Sequence, residues 1–105
     1  MIIEKIKQTL KKNWGEKATS LNCYCEVKFI DPLSDWCCYI YAMDPQDEDG
    51  IECLLYTKMM GVQLATWSLK ELYLLYNKDG DCPIIDEEFR KTRASELFKK
   101  LSEMK

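Results

Sequence analysis

Apolar positions recur along the chain with two different periods, which predict helices at its ends and strands between them. From Ile2 to Trp14 the apolar residues recur at the spacing of one helix face, and lysines fill many of the positions between. Residues 2–14 are therefore predicted to form an amphipathic helix. Gly15 follows at the position where a glycine commonly ends a helix.

A period of two replaces the helical period at residue 22. Cys23, Cys25, Val27 and Phe29 alternate with polar residues, which predicts a half-buried strand over residues 22–30. Further apolar runs predict strands over residues 36–43, 51–59 and 62–67. Turn residues at 31–35 and 44–50, and Gly61, separate these strands. Because the connections are short, the sheet is predicted to be an antiparallel meander.

Helix signals return after the fourth strand. Ser68 with Glu71 three residues later forms a capping box for a helix over residues 69–76. Asp86 is the predicted N-cap of a final helix whose inward stripe ends at Leu101. The predicted fold is α+β, with a four-stranded antiparallel meander, an N-terminal helix and two C-terminal helices. Since the helices only precede or follow the sheet, we expect them on one face of it.

The opposite face of this sheet is predicted to carry Tyr24. Tyr39 and Tyr41 join it if the first turn has an even number of residues, because an even connection pairs odd positions with even ones. Tyrosine is common in binding hot spots, so an exposed face of this kind would suit a protein partner. The alternative is that these rings pack in the core.

Length and composition indicate one ordinary globular domain over residues 1–105, with 47% hydrophobic and 31% charged residues. The N-terminus is charged by its fourth residue, and no apolar run is long enough for a membrane span. We therefore expect a cytoplasmic protein without membrane association. In that compartment the six cysteines are expected to be reduced and mostly buried.

The chain has no histidine, which excludes Ser-His-Asp and Cys-His catalytic sets and histidine-based zinc sites. The Cys-x-Cys and Cys-Cys spacings also lack the paired Cys-x-x-Cys pattern of cysteine-only zinc sites. The four glycines are isolated, so there is no glycine-rich phosphate loop. We predict no catalytic residue, no metal and no cofactor. Enzymatic activity stays open, and a non-enzymatic role is favoured.

Acidic residues are concentrated in the middle of the chain, where seven acids and no base lie between Lys28 and Lys58. Asp47, Glu48 and Asp49 fall in the predicted loop at 44–50. An EF-hand frame fails there, because a glycine at its sixth position would make a proline the first ligand. Two interpretations remain: a solvated hairpin loop, or an acidic surface that docks on a basic partner. The same acids would repel phosphates, so no direct nucleic-acid binding is expected.

Several stretches between residues 22 and 98 follow one another in a recognisable order. They are Val27–Pro32 with Trp36 and Tyr39, Asp49-Gly50, Leu55–Gly61, Trp67–Leu72, and Pro83–Asp86 with Phe89. In order and spacing they resemble an uncharacterised bacterial family, the domain of unknown function catalogued as family 2958, which is found on plasmids, conjugative elements and phages. This chain departs from the family pattern at Cys38, where an aromatic residue is expected. It departs again at Val62–Ala65, where the family has Glu-Leu-Gly-Tyr, and at Asp86-Glu87, where it has Arg-Asp. The resemblance implies a genomic setting and supplies no site.

Together these patterns favour a non-catalytic protein-binding module of a phage or mobile element, for example an inhibitor of a host defence nuclease comparable to anti-CRISPR proteins. The expected partner is a host protein with a basic surface. The predicted contacts are Asp47, Glu48 and Asp49 as charges and Tyr24, Tyr39 and Tyr41 as aromatic anchors. One alternative is a small enzyme or ligand-binding module that uses carboxylates in a pocket between sheet and helices. A homodimer built on the sheet face is another.

Overall fold

The computed structural model of the protein describes residues 2–31, 36–72 and 84–104. Their elements are α1 (Ile2–Asn13), α2 (Glu16–Thr19), β1 (Tyr24–Cys25), β2 (Val27–Asp31), β3 (Trp36–Asp44), β4 (Asp47–Thr57), β5 (Gly61–Ser68), β6 (Ile84–Ile85), β7 (Thr92–Arg93) and a C-terminal helix (Ala94–Glu103). Residues 69–72 are also helical. None of the helices in this part of the chain combines the length and the apolar character needed to cross a membrane.

The main sheet has the strand order β5-β4-β3-β2-β6, and all of its pairs are antiparallel. The strands β2 to β5 follow one another as neighbours, which confirms the predicted four-stranded meander and the α+β class. Gly61 has a φ of 74°, in the left-handed region that favours glycine, and it begins β5 after the tight turn from β4. Strands β1 and β7 form a separate antiparallel pair beside this sheet.

Helix α1 covers one face of the main sheet, which we call the α1 face. Leu10 of α1 packs into a buried cluster to which β2, β3 and β4 contribute alternate residues. The sheet residues in that cluster are Val27, Phe29, Cys38, Ile40, Met43, Ile51 and Cys53. Trp36 and Trp67 extend the cluster with a tilted ring contact, their centroids 5.7 Å apart.

The opposite face, which we call the tyrosine face, lies under the C-terminal helix. Lys28 pairs with Tyr39, so the connection between β2 and β3 has the even length that places Tyr39 and Tyr41 on the same face as Lys28. Leu97 and Leu101 of the C-terminal helix belong to the same buried cluster as the two tyrosines. The expectation that all helices pack on one face is wrong. The helix carries an apolar stripe and the sheet presents apolar rings, and each removes the other from water.

A β-bulge interrupts the pairing of β3 with β4. The register shifts by one residue between Ile40 and Ala42, so Tyr41 has no partner residue in β4. The side chain of Asn13, at the end of α1, donates from Nδ2 to the carbonyl oxygen of Tyr41 at 2.9 Å. Asn13 is the buried polar residue among those described, and this bond to the main chain of β3 satisfies its amide group.

The predicted acidic loop at 44–50 is wrong, because β3 ends at Asp44 and β4 begins at Asp47. The turn between them is only two residues long. Two local bonds stabilise it: the Asp44 carboxylate accepts the N–H of Gln46 at 2.9 Å, and the Asp47 carboxylate accepts that of Asp49 at 3.1 Å. The acidic residues 47–49 therefore belong to strand β4 of the hairpin and not to a loop.

The two predicted C-terminal helices match only loosely. Ser68 caps the helical residues 69–72, since its Oγ accepts the N–H of Glu71 at 3.3 Å. The rest of the predicted helix over 69–76 lies outside the described residues. The final helix begins at Ala94, not after Asp86. Asp86 follows β6, where its N–H donates to the carbonyl of Lys28 at 2.9 Å.

Candidate functional site

The acidic side chains predicted to contact a partner are largely engaged within the protein. Glu48 forms ion pairs with Lys11 and Lys7 of α1, the latter at 3.4 Å. Hydrogen bonds and charge from Lys11, then from Lys7, lower the pKa of Glu48. Its carboxylate therefore ties the β3–β4 hairpin to α1.

Asp49 also has a structural role. Its carboxylate accepts the backbone N–H of Lys70 and the hydroxyl of Ser68, each at 2.7 Å. These bonds lower the pKa of Asp49, the backbone bond most. Asp49 consequently stabilises the start of the helical residues 69–72. The third predicted acidic contact, Asp47, is exposed, and its carboxylate accepts the backbone N–H of Asp49.

Tyr39 and Tyr41 are buried, with exposed fractions of 5% and 1%. The expected tyrosine-rich exposed face is therefore wrong, because the C-terminal helix lies over these rings. Burial raises the pKa of both phenols. Phe89 contacts Tyr39 with centroids 5.6 Å apart, and the Lys28 ammonium lies 5.3 Å from the centre of the same ring. Neither ring is available as a direct contact in this arrangement.

Tyr24 is the exposed member of the predicted aromatic set, with 41% of its surface accessible. The pairing of β1 with β7 sets Tyr24 opposite Arg93. The Arg93 guanidinium carbon lies 5.1 Å from the ring centre, and the Lys91 ammonium nitrogen lies 5.2 Å from it. Tyr24 is thus flanked by two cations, a combination that the sequence patterns did not predict.

A concave site of about 290 Å³ adjoins this ring, and we call it the Tyr24 cleft. It lies where the end of α1, α2, β1 and the segment leading into the C-terminal helix meet. Its lining residues are Thr9, Asn13, Lys17, Asn22, Cys23, Tyr24, Glu26, Lys91 and Arg93. The lining holds three cationic side chains and one carboxylate.

The Cys23 thiol in this lining is buried. Burial raises its pKa, and the negative charge of Glu52 raises it further, while Lys17 and Arg93 act in the opposite direction. The thiol is therefore held protonated at neutral pH and is not activated as a nucleophile. Within the described residues, no group of three or more histidine, cysteine or acidic side chains could hold a metal ion.

Strand β5 forms one edge of the main sheet and pairs with β4 alone among the described strands. It is eight residues long and contains neither a charged residue nor a proline. The other edge strand, β6, has only two residues. Natural sheets commonly protect a long edge with lysine, proline or a bulge, because its unpaired backbone groups can accept another strand. β5 itself carries none of these three features, and the C-terminal helix lies against it.

Large apolar side chains accompany this edge. Leu64 of β5 is 50% exposed, and Met59 and Met60 are exposed in the turn that precedes β5. Met104 lies at the same end of the sheet, where its carbonyl accepts the Tyr56 hydroxyl at 3.1 Å. These four are all but one of the large apolar residues that the described chain exposes. We call β5 with Leu64 and the two turn methionines the β5 edge surface.

Comparison with protein-family models, with curated proteins and with solved structures found no match. The resemblance to family 2958 therefore stays a prediction. Function is inferred from the fold and from its two distinctive surfaces, the Tyr24 cleft and the β5 edge surface.

Sequence reasoning missed both surfaces for different reasons. The Tyr24 cleft depends on the pairing of residues 24–25 with residues 92–93, and no local pattern signals so distant a contact. The β5 edge surface had a readable signal, since an apolar, charge-free run follows two consecutive methionines. That run predicted the strand correctly, but the sequence did not show that it lies at the edge.

Proposed function

We propose that this protein is a non-catalytic protein-binding module that receives an extended segment of its partner at the β5 edge surface. The observation that carries the proposal is the long, uncharged and proline-free edge strand at one end of the sheet order. Strand addition at such an edge provides main-chain hydrogen bonds for affinity, and exposed side chains beside it provide specificity.

The side chains beside this edge favour a partner segment with apolar residues. Leu64 and the two turn methionines offer apolar area, and methionine adapts its shape to different partners. Exposed apolar patches on a folded domain commonly mark interaction sites. β5 itself carries no charge, so its apolar side chains are the proposed source of specificity.

The proposed class, a protein-binding module, is the one predicted from the sequence, but the proposed contacts are different residues. The acids Glu48 and Asp49 bond within the protein, and Tyr39 and Tyr41 are buried, so these residues support the fold. The predicted phage or mobile-element origin rests on the sequence resemblance. The prediction of a host defence nuclease as partner rests on that resemblance together with the small size, the acidic residues, the predicted aromatic face and the lack of a catalytic set.

Differential capture tests the proposal. The wild-type protein, Leu64→Lys and the control Gln8→Lys are immobilised and exposed to the same bacterial lysate, and captured proteins are quantified by mass spectrometry. Both substitutions add one positive charge at an exposed position, but only Leu64 lies on β5. A lysine on the edge strand disfavours strand addition.

We expect at least one protein to be captured equally by the wild type and Gln8→Lys and to be depleted roughly tenfold or more by Leu64→Lys. Equal capture by all three proteins would overturn the proposal. Light scattering of the purified proteins tests whether a second copy of this protein pairs with β5 instead of a different partner. A wild-type dimer that Leu64→Lys converts to a monomer would assign β5 to a second copy and contradict a heterologous partner.

A further inference from the structure

The Tyr24 cleft shares no residue with the β5 edge surface, so binding in the cleft is a proposal separate from strand addition at β5. The charge of the cleft contrasts with that of the whole protein. The lining holds the cations Lys17, Lys91 and Arg93 and one carboxylate, Glu26, a formal charge of +2 in a chain with a net charge of −3. The Glu52 carboxylate lies outside the lining but close enough to raise the pKa of the Cys23 thiol. A concave site with this local excess attracts anions.

Backbone contacts hold the wall of the cleft in place. Leu21 adopts a φ of 56°, a left-handed conformation that is uncommon for a residue of its size. This turn directs the carbonyl groups of Leu21 and Cys23 to the first turn of the C-terminal helix. They accept the N–H groups of Ser95 at 3.2 Å and Ala94 at 2.8 Å.

One of the cations, Arg93, is also positioned before any ligand arrives. The Arg93 guanidinium donates to Oδ1 of Asn22 at 2.7 Å and lies beside the Tyr24 ring. This bond uses one N–H of the guanidinium, which has five. A cation held in this way loses little conformational freedom when it binds an anion, so more of the interaction appears as affinity.

The lining chemistry selects a class of anion. A phosphate monoester carries a charge of about −1.5 to −2 at neutral pH, which matches the excess of +2, whereas a single carboxylate carries only −1. Guanidinium groups bind phosphate oxygens through paired N–H donors, and lysines add point charges. A volume of about 290 Å³ suits a small molecule.

We propose that the Tyr24 cleft binds a small phosphomonoester, with Arg93, Lys91 and Lys17 around the phosphate and the Tyr24 ring against its organic part. Glu26 lies on the same lining and disfavours ligands with further negative charge near it. The neutral side chains of Thr9 and Asn22 are in reach of ligand hydroxyl groups.

Titration with phenyl phosphate, followed by amide chemical shifts at about 0.15 M salt, tests this proposal. Benzoate is the matched probe with one negative charge. The variants are Lys91→Met and Arg93→Met, and the control Lys100→Met removes an exposed lysine of the C-terminal helix that is not part of the cleft. Lys91 is exposed, so its variant keeps the test valid if Arg93→Met fails to fold.

We expect saturable binding of phenyl phosphate with shifts at residues 22–26 and 91–93. Affinity should fall roughly tenfold in Lys91→Met and stay unchanged in Lys100→Met and in Leu64→Lys. Absence of saturation, equal affinity for benzoate, or unchanged affinity in Lys91→Met would each overturn the proposal. Loss of phenyl phosphate binding in Leu64→Lys would overturn the independence of the two sites.

Discussion

At the scale of single residues, Asn13 shows how one side chain ties a helix to a strand of the sheet. The Asn13 amide, at the end of α1, donates to the carbonyl of Tyr41, the residue at which the register of β3 with β4 shifts. A hydrogen bond of this kind contributes about 0.5–1.5 kcal/mol to stability. This bond therefore couples the end of α1 to the central strand of the sheet.

We predict that Asn13→Ala lowers the free energy of unfolding by about 0.5–1.5 kcal/mol, because it removes a buried hydrogen bond between α1 and β3. Gln8→Ala, which removes an exposed amide from the same helix, is the control and should change it by less than about 0.5 kcal/mol. Urea unfolding followed by circular dichroism measures both. Similar values for the two variants would show that the bond contributes nothing.

Glu48 gives a pH-dependent prediction. Its pKa is lowered in the folded protein by Lys11 and Lys7, so its ion pairs stabilise the fold above the unfolded-state value of 4.5 and lose that effect as pH falls through the lower folded pKa. Glu48→Gln should therefore lower the Tm at pH 7, and lower it progressively less as the pH falls through the folded pKa. Glu103→Gln, on the C-terminal helix, is the control. A Tm difference for Glu48→Gln that does not shrink on acidification would contradict this assignment.

At the scale of elements, the sequence identified strands β2 to β5 and helix α1 well, because their periods are set by burial of local side chains. The predicted strand over 22–30 is divided in the structure at Glu26. Cys23 and Cys25 pack in the cluster of the tyrosine face, whereas Val27 and Phe29 pack on the α1 face. Alternation predicted burial at all four positions and could not show that they belong to two layers.

The acids at residues 47–49 illustrate why exposed charged strands are misread. Their composition is typical of a loop, yet β4 begins at Asp47 and pairs with Asp44. The partners that fix these side chains, Lys11 and Lys70, are distant in sequence. Pairing at such distances is set by the tertiary fold, which no local pattern reports.

The Ser68 hydroxyl caps the helical residues 69–72. Ser68→Ala removes the acceptor for the Glu71 N–H and the donor to Asp49, so we expect the free energy of unfolding to fall by about 1 kcal/mol. Ser102→Ala is the control, since that hydroxyl donates to the carbonyl of Phe98 within its own helix. Chemical denaturation of both variants tests the role of the cap, and an equal effect would contradict it.

At the scale of the whole molecule, the sheet is covered on both faces, and β5 forms one edge of it among the described strands, with Leu64 half exposed. Leu10 of α1 is buried on the α1 face, and Leu101 of the C-terminal helix is buried on the tyrosine face. Coverage of both faces also explains why the aromatic residues expected at a binding surface are core residues. Strands β1 and β7 form their own pair beside the sheet, and the ring of Tyr24 in β1 stays exposed.

Because both faces of the sheet are covered, removing a buried leucine from either face should lower the free energy of unfolding by a similar amount. Leu10→Ala and Leu101→Ala should each lower the free energy of unfolding by about 2–5 kcal/mol, because each removes buried apolar atoms and leaves a cavity. Leu64→Ala, at the exposed edge, should change it by less than about 0.5 kcal/mol. Urea midpoints measure all three. A Leu101→Ala value equal to that of Leu64→Ala would contradict the covered tyrosine face.

Strand addition at β5 is best tested by amide hydrogen exchange, measured on the protein alone and in complex with the partner that the wild type captures. We predict that exchange slows along β5, at residues 61–68, when the partner binds, because the outward amides gain main-chain acceptors. Exchange at the acids 47–49 and at Tyr24 should stay unchanged. Slowing at those residues with none in β5 would contradict strand addition.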